Sequence, residues 1–153
     1  MPKEKPSALT KAMDYLAARP LSELELLAKL RKAGYSDQEC DAAIAECLRC
    51  HYLDDEQLTE DCVEYLHQRN FGARQIRQKL IRRGLDGEKI SGLLADSPDD
   101  ELEAARRAMA GKLRSLSREN DLRKKREKLF RFMANRGFSP AVIFKLVNET
   151  VDE

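Results

Sequence analysis

Apolar residues recur along this chain at spacings of three and four, the period of a helix with one buried face. No segment alternates apolar and polar positions as a half-buried strand would. Leu9, Met13 and Leu16 predict a first helix, stopped at Pro20. Ser22 with Glu25 forms a capping box, and Leu24, Leu27 and Leu30 line the helix behind it. Gly34 ends that helix. Ser36 with Glu39 opens the next, striped by Cys40, Ile44, Cys47 and Leu48. Asp54, with Gln57 three residues on, caps a helix carrying Leu58, Cys62, Tyr65 and Leu66. Gly72 punctuates, Ile76 and Leu80 restart the period, and Gly84 closes it. Asp86 caps a short helix with Ile90, Leu93 and Leu94. Ser97 followed by Pro98 opens a longer one with Leu102, Ala105, Met109, Leu113 and Leu116. Ser117 is expected to cap a helix holding Leu122, Leu129, Phe130 and Met133, which Gly137 ends. Ser139 and Pro140 begin the last, with Ile143, Leu146 and Val147.

Three glycines share a register. Leu30 to Ser36, Leu80 to Asp86 and Met133 to Ser139 each place an apolar residue four before a glycine, another directly after it, and then a capping residue. Further apolar residues follow at matching positions: Cys40, Ile90 and Ile143, then Ile44, Leu94 and Val147. A pattern returning about every fifty residues is the mark of tandem repeats. The expected fold is all-α: three tandem three-helix repeats stacked into an elongated, curved array. The expected boundaries are a loose tail at 1–7 and repeats at 8–50, 51–96 and 97–153. Units this small bury little surface alone, so stacking must complete the core. Such an array offers a long surface suited to another extended object.

Charge changes this picture more than its total does. The 153 residues are 42% hydrophobic and 36% charged, with a net charge of +1. From Asp37 to Glu64 the acids face Arg49 alone, whereas from Arg106 to Arg136 cations dominate. Arg69, Arg74, Arg77, Lys79, Arg82 and Arg83 crowd one short stretch with no acid between Glu64 and Asp86. Arg123, Lys124, Lys125 and Arg126 form a second run, with Arg131 beyond it. One-signed runs with the acids set apart point to phosphate contact, which is salt-dependent and indifferent to sequence. Near those runs the aromatics, Phe71 and Phe130, are too sparse for a base-stacking platform. The helices after each glycine are poor in base-reading side chains, which argues against a sequence-specific helix-turn-helix.

Catalytic chemistry finds no constellation. His51 and His67 read as solvated or partly packed. Cys47 and Cys50 have the spacing of half a zinc site without the other half, and Cys47 belongs to an apolar stripe. No enzyme activity, metal or cofactor is expected. The start of the chain is polar, no stretch approaches a membrane span, and the cysteines read as reduced and cytosolic.

Tyr52-Leu53-Asp54-Asp55, then a helix, then Arg69, Gly72, Ile76, Leu80 and Gly84 in an Arg-x-Phe-Gly-x-x-x-Ile-x-x-x-Leu-x-x-x-Gly pattern resembles the core of the RecX family. Lys125 to Phe138 is similar to that family's third repeat. The resemblance implies a non-catalytic, cytoplasmic regulator of the RecA recombinase. Family members bind along the groove of the RecA–single-stranded-DNA filament. They inhibit its ATPase, strand exchange and co-protease activities, and so modulate recombination, repair and the SOS response; some also bind single- or double-stranded DNA. Arg69 and the neighbouring cations are then the expected contacts, and the apolar residues and glycines are structural. The chain is expected to act as a monomer. The competing readings are a DNA-binding architectural protein without RecA specificity, and a small enzyme using Cys47, Cys50 or His51.

Overall fold

The computed structural model describes residues 4–151. Among these the regular structure is entirely helical, as the spacing predicts: α1 (Ala8–Ala18), α2 (Glu23–Lys32), α3 (Asp37–Arg49), α4 (Asp55–Gln68), α5 (Ala73–Arg82), α6 (Gly87–Ala95), α7 (Pro98–Ser115), α8 (Leu122–Asn135) and α9 (Pro140–Val151). Residues 1–3 of the expected tail, and 152–153 of the expected third repeat, lie outside the described residues. The rest of the tail is engaged. Lys5 Nζ stands 4.0 Å from the Tyr35 ring centroid, the Tyr35 hydroxyl donates to the Pro6 carbonyl at 2.6 Å, and Ser7 caps α1.

Local signals set most helix ends. Ser22 and Ser36 form complete capping boxes with Glu25 and Glu39. Asp54 accepts from the Gln57 N–H at 3.1 Å. Two caps differ from expectation. The Ser97 hydroxyl turns back to donate to the Leu93 carbonyl at 2.6 Å and makes no cap bond, leaving Pro98 to open α7. Asp121, not Ser117, caps α8: its carboxylate reaches the N–H groups of Arg123 and Lys124. Gly34, Gly84 and Gly137 all adopt positive φ, the left-handed turn that their register predicts. His51 and Asn70 do the same without glycine's freedom, at φ 60° and 66°, and so end α3 and α4. Asn70, rather than Gly72, therefore makes the turn after α4.

The chain divides into two units. The first holds the chain up to Thr59 together with Ile81–Asp86. Its core gathers Ala12, Leu26, Leu30, Cys40, Cys47 and Leu53, all essentially sealed from water. Ala8 and Ala12 form the buried face of α1, so the helix is rolled away from the predicted stripe and Met13 is exposed. Leu26 and Leu30 bury from α2, whereas Leu24 is exposed.

Within this unit the N-terminus of α2 is tied to the turn after α5. The Ser22 hydroxyl donates to the Arg83 carbonyl. The Arg83 guanidinium donates to the Glu25 carboxylate at 2.9 Å and to the Pro20 carbonyl at 3.1 Å. The Asp55 carboxylate accepts from the Glu23 N–H at 3.0 Å.

The second unit holds Glu60–Leu80 and the chain from Gly87 onward. Its core combines small residues of α7 (Ala104, Ala105 and Ala108) with Met109, Leu129, Met133, Ile143 and Leu146. Here the N-terminus of α5 is tied to the turn after α8. The Gly72 N–H donates to the Arg136 carbonyl at 2.8 Å and the Arg74 N–H to the Gly137 carbonyl at 3.1 Å. Donors left over at the start of one helix thus satisfy carbonyls left over at the end of another. The Gln75 side chain adds a bond to the Asn135 carbonyl at 3.0 Å. The Arg136 guanidinium donates to the carbonyls of Arg69 and Asn70 and lies 4.1 Å from the Phe71 ring centroid. A Cβ on Gly72 would stand 2.4 Å from the Gly137 carbonyl carbon. This close approach is what Gly72 is for.

Candidate functional site

The basic residues singled out from sequence have different fates. On α8, Lys124, Lys128, Arg131 and Asn135 recur at helical spacing, so they share one face, and all four are exposed. The last of them adjoins α5. Asn135, Gly137, Arg74, Gln75 and Gln78 line a shallow polar recess of about 250 Å³. Arg74 and Gln78, one turn apart on α5, are exposed beside it. A mainly cationic strip, with exposed Glu127 beside it, thus runs along α8 and onto the start of α5, all within the second unit. Its charge is partly offset, since Lys128 Nζ pairs with Glu119 at 2.8 Å.

The remaining cations differ in exposure and in partners. Arg123 is exposed and pairs with Glu127 at 3.4 Å. Lys125 and Arg126 are half-buried on other faces of α8. Arg77 donates to the Ser91 hydroxyl at 3.1 Å. Lys79 lies 4.7 Å from the Phe71 ring centroid, and the Arg69 guanidinium 5.8 Å from that of Tyr65. In the first unit Arg82 is exposed.

Arg83, also expected among the contacts, pairs with Glu25 within the first unit, with 26% of its side chain exposed against 22% for Glu25. Sequence proximity could not show this, because Glu25 is distant along the chain. Burial works to raise the Glu25 carboxyl. The hydrogen bonds from Arg83 and Ser22 and the charges of Arg83 and Arg19 outweigh it and hold the group below its ordinary value.

The other family-motif residues have structural parts. Leu53 is buried and Tyr52 exposed. Asp54 caps α4, and Asp55 is half-buried beneath the Glu23 N–H. Burial, helped by the charges of Asp54 and Glu25, pushes the Asp55 carboxyl up despite that hydrogen bond.

Three features lay beyond the sequence pattern. Phe130 on α8 meets Phe144 on α9 with ring centroids 5.0 Å apart, and Phe144 is 57% exposed. An aromatic pair therefore lies at the basic helix, where the sequence pattern marks only Phe130. Arg136, which the sequence marks only as one of a cationic segment, is a main fastener of the second unit. His67, read as solvated or partly packed, is only 4% exposed, and its Nε2 has no hydrogen-bond partner among the described residues.

Nucleophilic chemistry is disfavoured at two of the four thiols, for burial pushes the Cys40 and Cys47 thiols up, away from the reactive thiolate. Among the described residues no helix is long and apolar enough to cross a membrane.

Known proteins match this architecture closely. Residues 8–47 fit the model of the RecX first three-helix domain, and residues 99–147 fit that of the RecX third three-helix domain. The chain is 32% identical over 146 residues to the regulatory protein RecX of Legionella pneumophila (strain Corby), covering 92% of this chain and 95% of that one. It is 35% identical over 140 residues to the regulatory protein RecX of Ectopseudomonas mendocina (strain ymp), covering 89% of each. The crystal structure of RecX from Lactobacillus salivarius superimposes with a TM-score of 0.82 at 20% identity, over 95% of this chain and 94% of that one, a likeness of fold. On relatedness that spans nearly its whole length, the chain belongs to the RecX family of regulatory proteins.

Proposed function

We propose that this chain is a non-catalytic, cytoplasmic regulator of the RecA recombinase. It binds as a monomer along the groove of the RecA–single-stranded-DNA filament and inhibits ATPase, strand exchange and co-protease activity. The observation that carries the reading is the exposed cationic strip of Lys124, Lys128 and Arg131 on α8, continued by Arg74 on α5, in a chain of this family. A nucleoprotein filament presents phosphates and acidic side chains to such a strip, and complementarity of charge gives attachment and register. Arg69, Arg77, Lys79, Arg82, Arg123, Lys125 and Arg126 supply weaker or peripheral contacts. Regulation follows if the bound chain favours a filament state that cannot turn over ATP. The organisation we propose keeps three repeats, at 8–50, 51–96 and 97–153.

The test is the ATPase rate of preformed RecA–single-stranded-DNA filaments titrated with this protein, with binding to naked DNA measured in the same salt. Inhibition well below the concentration that coats naked DNA is expected. Charge reversal at Arg74 and Arg131 should weaken it, whereas Arg83→Gln should act through stability alone. If the ATPase falls only where naked DNA is coated, the RecA reading fails. An architectural DNA-binding role then replaces it, for which the exposed Phe144 beside Phe130 supplies a surface where bases could stack.

A further inference from the structure

A recess of the second unit carries the opposite charge to the strip on α8. It is a cleft of about 410 Å³ walled by α4 and α7, with Glu60, Glu64, His67, Asp100, Glu103 and Arg107 in its lining. Its lining holds one cation, Arg107. The Arg107 guanidinium donates to Asn70 Oδ1 at 2.8 Å and to the His67 carbonyl at 3.1 Å. Of the lining carboxylates, Glu60 is paired with Lys89, a residue outside the lining, at 3.6 Å. Glu64, Asp100 and Glu103 are exposed with no cation paired to them among the described residues.

An acidic rim alone would be a solvated surface. The second observation is His67. His67 is among the residues that line the cleft, and its Nε2 is buried with no hydrogen-bond partner among the described residues. A buried polar atom without a partner costs free energy, and such atoms are uncommon in folded proteins. In the neutral imidazole with its proton on Nδ1, Nε2 is an acceptor and lacks a donor. Among the described residues no three His, Cys, Asp or Glu side chains converge as a metal site would require. A ligand suited to this cleft is a cation that can give hydrogen bonds in several directions at once. A guanidinium does so: it is planar, always charged, weakly hydrated, and carries five N–H donors.

We propose that this cleft receives an arginine side chain of a protein partner, with the carboxylates of Glu64, Asp100 and Glu103 around the guanidinium and one of its N–H groups donated to His67 Nε2. The site does not depend on which protein supplies the arginine, so it stands or falls separately from the RecA reading.

The chain has only two histidines, and His51 is exposed, which makes a clean experiment. The full chain, with ¹⁵N-labelled histidine, is titrated with acetyl-Gly-Arg-Gly-amide while both imidazole signals are followed by NMR. The counterpart peptide carries citrulline, which keeps the shape and loses the charge. A saturable shift of the His67 signals is expected, with His51 unmoved and the citrulline peptide silent. Glu64→Gln and Asp100→Asn, both at exposed positions, should each weaken binding by about tenfold, as loss of one charge-assisted hydrogen bond predicts. Equal movement of both histidines, equal binding of the citrulline peptide, the same shift with magnesium chloride alone, or unaltered affinity in both variants would each overturn the assignment.

Discussion

The two units solve one problem in two ways. In each, an arginine just before a positive-φ glycine fastens the start of another helix: Arg83 before Gly84 in the first unit, Arg136 before Gly137 in the second. The parts correspond by register. The Arg83 carbonyl accepts from Ser22 and the Arg136 carbonyl from Gly72, and each guanidinium also reaches a carbonyl two residues earlier, that of Pro20 or Asn70. The chemistry differs. The first joint uses side chains, a hydroxyl and a half-buried ion pair. The second adds direct backbone contact, Gly72 against Gly137, to the carbonyl bonds of Arg136 and Gln75, and lays the arginine on the Phe71 ring. A joint made of side chains can be tuned by substitution and by pH. A joint made of close backbone contact tolerates almost nothing. The corresponding residue of the first repeat is Ala33, which has no guanidinium to offer, and a Cβ at Gly34 would meet only Lys5 Nζ, at 3.0 Å. Repetition of the helices is therefore not repetition of the joints.

The sharpest break in the comparison is at the matched positions 72 and 22. Gly72→Ala forces a Cβ onto the Gly137 backbone and should cost at least ~3 kcal/mol. Ser22→Ala loses a cap bond and one longer-range bond and should cost about 1–2 kcal/mol. Urea unfolding of both variants decides this, and equal midpoints would show that the two joints do not differ in tolerance.

Next come the arginines. Arg83→Ala strands the half-buried Glu25 carboxylate, at about 2–3 kcal/mol. Adding Glu25→Gln should return part of that loss. The same Glu25→Gln should do nothing for Arg136→Ala, whose partners are carbonyls and a ring. A rescue of both, or of neither, in the double-mutant comparison would contradict the assigned chemistry.

Acidification should separate the units by pH window. Burial lowers the basicity of His67; Asp100 and Glu101 oppose this and Arg107 adds to it. The unfolded chain then takes up the proton more readily, so this contribution is whole above the ordinary value of 6.5 and declines as pH falls below it. Glu25 is an acid held below its ordinary 4.5, so its contribution is present above that value and lost as pH falls through the lower, folded one. Stability measured against pH should show both declines. His67→Phe should remove the first and Glu25→Gln the second.

The smallest effect concerns the strip on α8. Arg131→Gln should leave stability within ~0.5 kcal/mol and lower the salt dependence of binding to single-stranded DNA by roughly one counterion. An unchanged slope would take Arg131 out of the contact face.

What the sequence by itself determined is what neighbours in sequence decide. Helix period, serine and aspartate caps, and the left-handed glycines at 34, 84 and 137 all rest on contacts within a turn or two, and each is legible in a short window. The cationic runs were legible too, because composition needs no geometry. Tertiary structure alone decided which cations remain available. Arg83 and Arg136 look like their neighbours until Glu25 or the Arg69 carbonyl is brought against them from far along the chain. It also decided that Met13 and Leu24 face solvent, because small alanines let α1 roll and Leu26 takes the buried place on α2. His67 shows the physical reason most plainly. Its place on α4 follows from periodicity, but its burial follows from what packs over it, and packing between distant segments is written in no local pattern.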